Sequence, residues 1–197
     1  MKLGAKQLRV SEPSEADLKK IKRREVYIIC DNVLDTYNIG SIFRLADALA
    51  VKCVYLCGGS ETPPNARIAK ASVGTDKWVP WQYRATAVEA ILDLRSRHSG
   101  GSETTDRISR DPIASLQDDR IGIKVVAIEQ SKNSQDFRKV EYTEPVAFVV
   151  GHETGGVSKE ALKMADQIVE IPMFGINRSL NVMVSLAIVL YQAVVMD

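Results

Sequence analysis

The sequence predicts an α/β domain in which a parallel β-sheet is flanked by helices. Short apolar runs alternate along the chain with amphipathic helical patterns, as in proteins whose strands are joined by helical crossovers. Several of these runs are apolar at successive positions, which is typical of parallel strands that are covered on both faces. A length of 197 residues is sufficient for one domain with a substantial core.

Five apolar runs are predicted to be strands. They cover residues 26–30, 51–57, 123–128, 146–150 and 168–171. Four helical patterns lie between them and cover residues 39–50, 86–97, 112–118 and 159–165. Thr36 and Asn38 are competent N-caps for the first helix, and Ser158 is one for the fourth. A last helix, apolar nearly all round, is predicted to begin at a Ser179 cap, and it must be buried in the core or against another subunit.

The charge pattern divides the chain into a basic arm and one domain. Residues 1–24 carry eight basic and three acidic side chains, a net charge of +5, whereas the whole chain is only +1. We expect residues 1–24 to form a basic arm or helix and residues 25–197 to form a single domain. Residues 98–111 are polar and rich in Gly, Ser and Thr, which predicts an inserted loop.

The composition excludes disordered, collagen-like and disulfide-scaffold proteins. Cys30, Cys53 and Cys57 are interpreted as buried free thiols, and together with two histidines they show no metal-ligand spacing. The N-terminus lacks the apolar region of a signal peptide. The most apolar stretch, residues 182–196, is shorter than the ~20 residues that span a bilayer. We therefore expect a cytoplasmic protein without a metal and without a membrane partner.

Three polar segments follow predicted strands and are therefore expected at the carboxyl edge of the sheet, where α/β proteins bind ligands. They are DNVLDTYNIGSIFR at 31–44, PVAFVVGHETGGVS at 145–158 and the residues that follow Pro172. In the first, Ser41 and Arg44 share a helix face, and Gly40 permits close approach. The glycines of the second have neither dinucleotide-binding nor phosphate-loop spacing. Each segment also has a purely structural interpretation, as a capped helix or a tight turn.

The residue patterns of these segments and their order along the chain resemble the motifs of one known family. NIGSIFR, GHETGGVS and IPMFGINRSLNV are similar to the three ordered motifs of the SpoU (TrmH-like) RNA ribose methyltransferases, which belong to the SPOUT superfamily. ASVGTDKWVPW at 71–81 is similar to the S-x-G-x-x-x-W-V region of the same family. The resemblance extends over roughly residues 25–195.

The resemblance implies a fold, a cofactor and a reaction. The fold would be an α/β domain whose C-terminal part forms a deep trefoil knot, and the protein would be a homodimer. The cofactor would be S-adenosylmethionine, and its methyl group would pass to a ribose 2′-hydroxyl of RNA without a metal. The residues implied around the cofactor are Ile128, Glu129, Gly151, Glu153, Gly155, Gly156, Ile171, Met173 and Leu180.

The same resemblance implies which residues are catalytic. They are Arg44, Asn38, Glu153, Ser179 and Asn181. Family accounts make the arginine a proton acceptor, but an arginine resists deprotonation at ordinary pH. Binding of a phosphate and stabilisation of the developing alkoxide is the alternative role. The expected RNA-binding residues are Lys19, Lys20, Lys22, Arg23, Arg24 and Arg178.

Three functional hypotheses remain at this stage. The first is an RNA 2′-O-methyltransferase, with tRNA favoured over ribosomal RNA. The second is a non-catalytic RNA-binding relative of the same fold. The third is a nicotinamide- or nucleotide-dependent enzyme of Rossmann type, which predicts a glycine-rich turn after the first strand. The segment DNVLDTYNIG fits that turn poorly.

Overall fold

A computed structural model of the protein describes residues 2–99 and 122–195. Its centre is a seven-stranded sheet with the order β3-β2-β1-β6-β4-β7-β5, and every neighbouring pair is parallel. The strands are β1 Arg24–Asp31, β2 Val51–Cys57, β3 Trp81–Arg84, β4 Lys124–Ile128, β5 Gln135–Asp136, β6 Val146–Gly151 and β7 Gln167–Glu170. The helices of the described ranges are α1 Ala5–Val10, α2 Glu15–Lys20, α3 Thr36–Ala48, α4 Ala66–Ser72, α5 Ala87–His98, α6 Lys159–Met164 and α7 Val182–Val195. The predicted α/β class and parallel sheet are confirmed.

Helices cover both faces of the sheet. In β1, Val26 and Ile28 belong to one apolar core, whereas Tyr27 and Ile29 belong to the other. The first core is completed by α3, α4 and α7, and the second by α5 and α6. The central strands β1 and β6 are buried along almost their whole length, which explains why their sequences are continuously apolar rather than alternating.

The structure places the predicted strands within two residues of their expected ends and corrects two helix starts. The first long helix, α3, begins at Thr36, and Asp35 is its cap, because the Asp35 carboxylate accepts a hydrogen bond from the Tyr37 amide at 2.8 Å. Thr36 and Asn38 are thus not the caps that the sequence predicts. Ser179 is not a cap either, because α7 begins at Val182 and the Asn181 side chain accepts from the Met183 amide at 3.0 Å.

Several elements were not predicted from the sequence. The helix α4 and the edge strands β3 and β5 are short and only partly buried, and their sequences carry little periodicity.

Ser158 caps α6, as predicted, and Thr86 caps α5, which continues to His98. The predicted helix at 112–118 and positions 100–111 of the predicted loop lie outside the described residues.

Helices α3 and α4 touch through Gly40. A β-carbon built on Gly40 would lie 2.6 Å from both the Ala71 β-carbon and the Ile68 carbonyl oxygen. The sequence predicts that Gly40 permits close approach, and the group that approaches it is helix α4 of the same chain. Because a larger residue would separate the two helices, Gly40 fixes the position of α3 relative to α4.

The N-terminal segment rests on the turn that follows α4. The Leu8 carbonyl oxygen would lie 2.4 Å from a β-carbon on Gly74, whose φ is +93°. Lys77 forms an ion pair with Glu12. Cys30, Cys53 and Cys57 are free and buried, as predicted. In the described ranges, no helix has the length and apolar character needed to cross a membrane.

Candidate active site

The three polar segments meet at the carboxyl edge of the sheet. Strands β1 and β6 are neighbours, and Asp31 at the end of one is paired with Gly151 at the end of the other. The loops that follow them therefore leave the sheet side by side. The segment between β7 and α7 reaches the same edge and lines a cavity with the loop after β6. This is the expected location for a ligand site in an open α/β sheet.

One row of side chains connects the three segments. Asn38, from the first segment, donates from Nδ2 to Glu153 Oε1 at 3.1 Å. Asn181, from the third, donates from Nδ2 to Asn38 Oδ1 at 2.9 Å. The amide of Asn38 thus uses one end for each neighbour, and Asn38 is buried at 7 % exposure. Hydrogen bonds at both ends of the amide fix its orientation.

Glu153 is held by backbone amides at the start of α3. The Leu34 amide donates to Oε2 at 3.2 Å, and the Asp35 amide donates to Oε1 at 3.0 Å. Burial disfavours the charged form of Glu153, but the hydrogen bonds from these amides and from Asn38 favour it more, so the pKa of Glu153 is lowered. Glu153 is therefore a carboxylate at neutral pH, and its place in the site is that of an acceptor.

Asn181 has two structural tasks. Its Oδ1 accepts from the Met183 amide at 3.0 Å and from the Val184 amide at 3.4 Å, so it caps α7. Because the oxygen is committed to the helix, the Nδ2 group is directed to Asn38. The start of the apolar C-terminal helix and the orientation of the site side chains therefore depend on one residue.

A cavity of about 430 Å³ adjoins this row. It is formed by the ends of β4, β6 and β7 and by the segment that leads into α7. Its walls include most residues that the family resemblance implies around the cofactor, namely Ile128, Glu129, Gly151, Glu153, Gly156, Ile171, Met173 and Leu180. Ser179, Asn181 and Arg178 also line it. A volume of this order is typical of small-molecule sites, which span roughly 300–1,000 Å³.

Glycines let the turn after β6 pack tightly beside the cavity. A β-carbon on Gly151 would lie 2.1 Å from the Gly156 carbonyl carbon, and the backbones of His152 and Gly156 exchange hydrogen bonds of 3.0 and 2.9 Å. Gly156 has a φ of +68°, and a β-carbon there would lie 2.1 Å from Glu129 Oε2. The same oxygen accepts from the Val157 amide at 2.8 Å. Gly151 is thus required by the close approach of the Gly156 backbone within the turn, and Gly156 is required by its positive φ.

Gly155 is not among the cavity-lining residues, unlike the other predicted members of this turn. Its amide donates to His152 Nδ1 at 3.2 Å, as the Thr154 amide does at 3.0 Å. His152 Nδ1 thus accepts from two backbone amides of the same turn. Across the described ranges, no group of three or more His, Cys, Asp or Glu side chains is placed to hold a metal ion.

The predicted catalytic arginine stands apart from the hydrogen-bonded row. Arg44 lies on the exposed face of α3, as its place off the apolar stripe predicts. In the described part of the chain, no side chain or carbonyl bonds to its guanidinium. Asp47, one turn further along α3, interacts electrostatically with Arg23. Arg44 therefore has no partner among residues 2–99 and 122–195, and no bond joins it directly to Asn38 or Glu153.

Comparison with known proteins identifies the family. Residues 25–110 and 104–191 match the model of the SpoU rRNA Methylase family. The chain belongs to this family.

Relatives within the SpoU family agree with this assignment. The chain is 32% identical over 174 residues to a tRNA (guanosine(18)-2′-O)-methyltransferase of Aquifex aeolicus, with 87% of this chain and 70% of the relative covered. It is 29% identical over 175 residues to the enzyme of that name from Escherichia coli K12, with 87% and 64% covered. The chain thus spans just under two thirds of the Escherichia coli relative and slightly more of the Aquifex one.

A solved SpoU structure shares the fold. The SpoU methyltransferase AviRb from Streptomyces viridochromogenes, in complex with the cofactor AdoMet, superposes with a TM-score of 0.71 at 25% identity. The match covers 92% of this chain and 64% of that one. Membership in the SpoU family removes the basis for the Rossmann-type alternative, whose glycine-rich turn is also missing after β1.

Two of the expected RNA-binding residues have partners inside this SpoU domain. The half-buried Arg23 donates to the carbonyl oxygens of Val51 at 3.1 Å and Trp78 at 2.5 Å. Arg24 forms a 2.6 Å ion pair with Glu144. These contacts anchor the N-terminal segment to the sheet, and a charge count of residues 1–24 could not show them.

The other expected RNA-binding residues are more exposed. Lys19 lies 3.9 Å from Glu15, and Lys20 lies 3.4 Å from Asp17, both as ion pairs within α2. Exposed pairs of this kind contribute little stability and open readily. Lys22 has no ion pair with any described residue, and Arg178 is exposed at the edge of the cavity.

Sequence reasoning missed some lining residues. Gln130 and Asn177 line the cavity, and Asn177 also accepts a hydrogen bond from the Ser179 amide at 3.2 Å. Asp35 and Leu34 hold Glu153 through their backbone amides only. No sequence signal marks backbone contacts of this kind, because they do not depend on the type of side chain.

Proposed function

We propose that this protein transfers a methyl group from S-adenosylmethionine to a ribose 2′-hydroxyl of RNA. The observation that carries the proposal is the row Glu153–Asn38–Asn181, which joins three segments far apart in the sequence beside one cavity. The names of the curated relatives, which describe RNA 2′-O-methyltransferases, support the same reaction.

The cavity suits S-adenosylmethionine in size and in lining. When bound, the cofactor supplies a methyl group that is already activated by a sulfonium centre. Ile128, Ile171, Met173 and Leu180 would hold its apolar parts, and the backbone at the ends of β4, β6 and β7 would bind its polar groups. The nearby carboxylate of Glu129 is compatible with a cationic ligand. Gly155 keeps its proposed place as part of the turn that forms this wall.

The residues at the cavity have separate proposed roles in positioning the ribose. Glu153, ionised at neutral pH, orients Asn38, and Asn38 in turn orients Asn181, which lines the cavity and presents its amide to the ribose. Ser179 offers a hydroxyl at the cavity wall. These groups hold the attacking oxygen in line, which is the main requirement when the methyl group is already activated.

Arg44 is proposed to interact with negative charge on the RNA. As a permanent cation it binds the phosphate beside the target ribose and stabilises the oxygen anion that develops as the 2′-hydroxyl loses its proton. The proton passes to that phosphate or to water. The alternative, in which Arg44 itself accepts the proton, requires a deprotonated guanidinium at ordinary pH.

The finer parts of the fold are also proposals. We infer that the β6–α7 part of the chain forms the trefoil knot and that residues 25–197 are one domain after the basic segment 1–24. His98 ends α5 and so does not belong to the loop predicted at 98–111. The match of residues 104–191 to the SpoU family model supports the knot. Three buried free cysteines support a reducing, cytoplasmic location.

We propose a homodimer that forms through α7. Val184, Ile188, Tyr191 and Val195 follow one another at spacings of three and four residues and are all exposed. They form an apolar strip along one face of the helix. Exposed apolar patches of this kind mark interaction surfaces, and a second copy of the chain is the partner that the family resemblance implies.

The direct test is methyl incorporation. The purified protein would be incubated with tritiated-methyl S-adenosylmethionine and, separately, with unfractionated tRNA and with ribosomal RNA. Nuclease digestion and mass spectrometry would then locate any 2′-O-methyl nucleoside. We expect incorporation, with tRNA the better substrate because both relatives compared above are named for tRNA. RNA binding without incorporation would instead identify a non-catalytic relative.

A further inference from the structure

Three exposed cations on helices α3 and α4 have no partner among the described residues. Seven basic side chains elsewhere form ion pairs with carboxylates, namely Arg24, Lys52, Lys77, Arg84, Arg95, Arg97 and Arg138. Lys132, Lys139, Lys159 and Lys163 are also exposed and form no ion pair with a described residue. Arg67 and Lys70 on α4 are exposed, like Arg44 on α3. Of the residues described, none forms a hydrogen bond or ion pair with these three charged groups.

The packing of α3 against α4 places these cations near one another. The two helices touch where Gly40 meets Ala71. Arg44 lies one turn after Gly40, and Arg67 lies one turn before Ala71. Residues four apart on a helix have β-carbons about 6 Å apart. The β-carbons of both arginines therefore lie about 6 Å from the point where the helices cross. Lys70 is the neighbour of Ala71 and lies in the last turn of α4.

The row of cations continues onto the N-terminal segment. The Leu8 carbonyl oxygen lies against Gly74, two residues after the end of α4. This contact holds α1 beside the C-terminal end of α4. Lys6 and Arg9 of α1 are exposed and, in the described ranges, have no acidic partner. Positive charge therefore extends from α3 across α4 to α1.

We infer that the RNA backbone follows this row, with Arg67 and Lys70 of α4 binding phosphates adjacent to the one held by Arg44. The inference rests on the proposed function and specifies the route of its substrate. A phosphate backbone is the ligand that a line of unpaired cations fits best, since each contact releases condensed counterions. Arg67 can bind a phosphate through two nitrogens, whereas Lys70 acts as a point charge.

A pair of neutral variants tests this route. Arg67→Gln combined with Lys70→Gln removes two charges and keeps good helix formers. The matched control is Lys159→Gln combined with Lys163→Gln on α6. Both lysines are exposed and form no ion pair with a described residue, but α6 lies on the opposite face of the sheet. Binding of unfractionated tRNA would be measured by fluorescence anisotropy from low to high KCl.

The expected effect follows from counterion release. Each phosphate contact contributes about 0.7–0.9 to the slope of log affinity against log salt. The slope of the α4 variant should therefore be shallower than that of wild type by about 1.4–1.8. With equal affinities at 1 M salt, this difference in slope corresponds to an affinity loss of about 25-fold or more at 0.1 M salt. The KM for RNA should rise, while kcat at saturating RNA and the affinity for S-adenosylmethionine stay within about twofold. The control should retain the wild-type slope.

Two results would overturn the route. One is an α4 variant whose slope and affinity equal those of wild type. The other is an equal loss in the α6 control, which would indicate a general charge effect. Because phosphate contacts do not depend on sequence, the binding measurement is valid even if tRNA is not methylated. A wild-type protein that binds RNA through α4 without transferring methyl groups would refute the proposed function and leave the route intact.

Discussion

Glu153→Gln should destabilise the protein in a pH-dependent way. The carboxylate accepts hydrogen bonds from the amides of Leu34 and Asp35 and from Asn38 Nδ2. Glutamine has only one oxygen to replace two, so its amide nitrogen faces either Leu34 N or the Asp35 and Asn38 donors. The substitution therefore removes the negative charge that accepts all three hydrogen bonds. It also places the glutamine NH₂ group against at least one N–H donor.

The size of the effect follows from the number and exposure of these bonds. Bonds to charged groups contribute about 1.5–3 kcal/mol each when they are buried. Glu153 is exposed on one side, so solvent screening reduces each bond to roughly 0.5 kcal/mol, and we expect a total of about 1.5 kcal/mol at pH 7. For a chain of this size, this corresponds to a fall in Tm of roughly 3–6 °C.

The pH dependence gives the sharper test. The pKa of Glu153 is lowered in the folded protein, so its contribution to the free energy of unfolding is complete above the unfolded value of 4.5. The contribution is lost as the pH falls through the lower folded pKa. The difference between wild type and Glu153→Gln in urea unfolding should therefore be full at pH 7 and shrink below about pH 4.5.

A matched control separates this effect from a general change in charge. Glu141 is exposed and its carboxylate has no bond to a described residue, so Glu141→Gln should change stability by less than about 0.5 kcal/mol. If Glu153→Gln were equally neutral at pH 7, or if its effect grew towards acid pH, Glu153 would not be the ionised acceptor that orders the site.

Three further predictions follow from the site and from α7. Arg44→Ala should lower methyl transfer by at least about 100-fold, as loss of a charge-stabilising donor does, with cofactor affinity unchanged in titration calorimetry; near-normal turnover would remove Arg44 from the mechanism. Gly156→Ala should cost about 1–2 kcal/mol because of its positive φ, whereas Gly155→Ala, whose β-carbon meets nothing closer than 3.8 Å, should be nearly neutral in thermal unfolding. Ile188→Asp should convert a dimer to monomers in sedimentation velocity, and a variant that sediments as wild type would exclude the α7 strip as the interface.

Local patterns in the sequence were sufficient for much of the sheet. Continuously apolar strands and Ser158 as a cap depend on neighbouring residues, and the structure agrees with them. The cap of α7 was assigned wrongly to Ser179, because Ser179 and Asn181 are both good caps and only the fold decides between them. The short helix α4 was missed because its seven residues carry almost no periodicity.

The site itself depends on long-range contacts. Asn38 and Glu153 are separated by 115 residues, and Asn38 and Asn181 by 143. No periodicity connects positions so far apart, and only the resemblance of ordered motifs grouped them in advance. The same limit explains Arg23 and Arg24. Their charge suggested RNA binding, but the carbonyl groups and the Glu144 carboxylate that contact them come from remote parts of the chain.

The double task of Asn181 has a consequence for the newly made protein. Asn38 obtains its second hydrogen bond only when the residue that starts α7 is in place, and α7 contributes Leu186 and Leu190 to one of the two cores. A ribosome completes this helix after every other described element. A nascent chain interrupted before Val182 would therefore have strands and cofactor loops but an unsupported Asn38. Folding of the last described helix thus completes both the hydrogen bonding of Asn38 and the packing of one core.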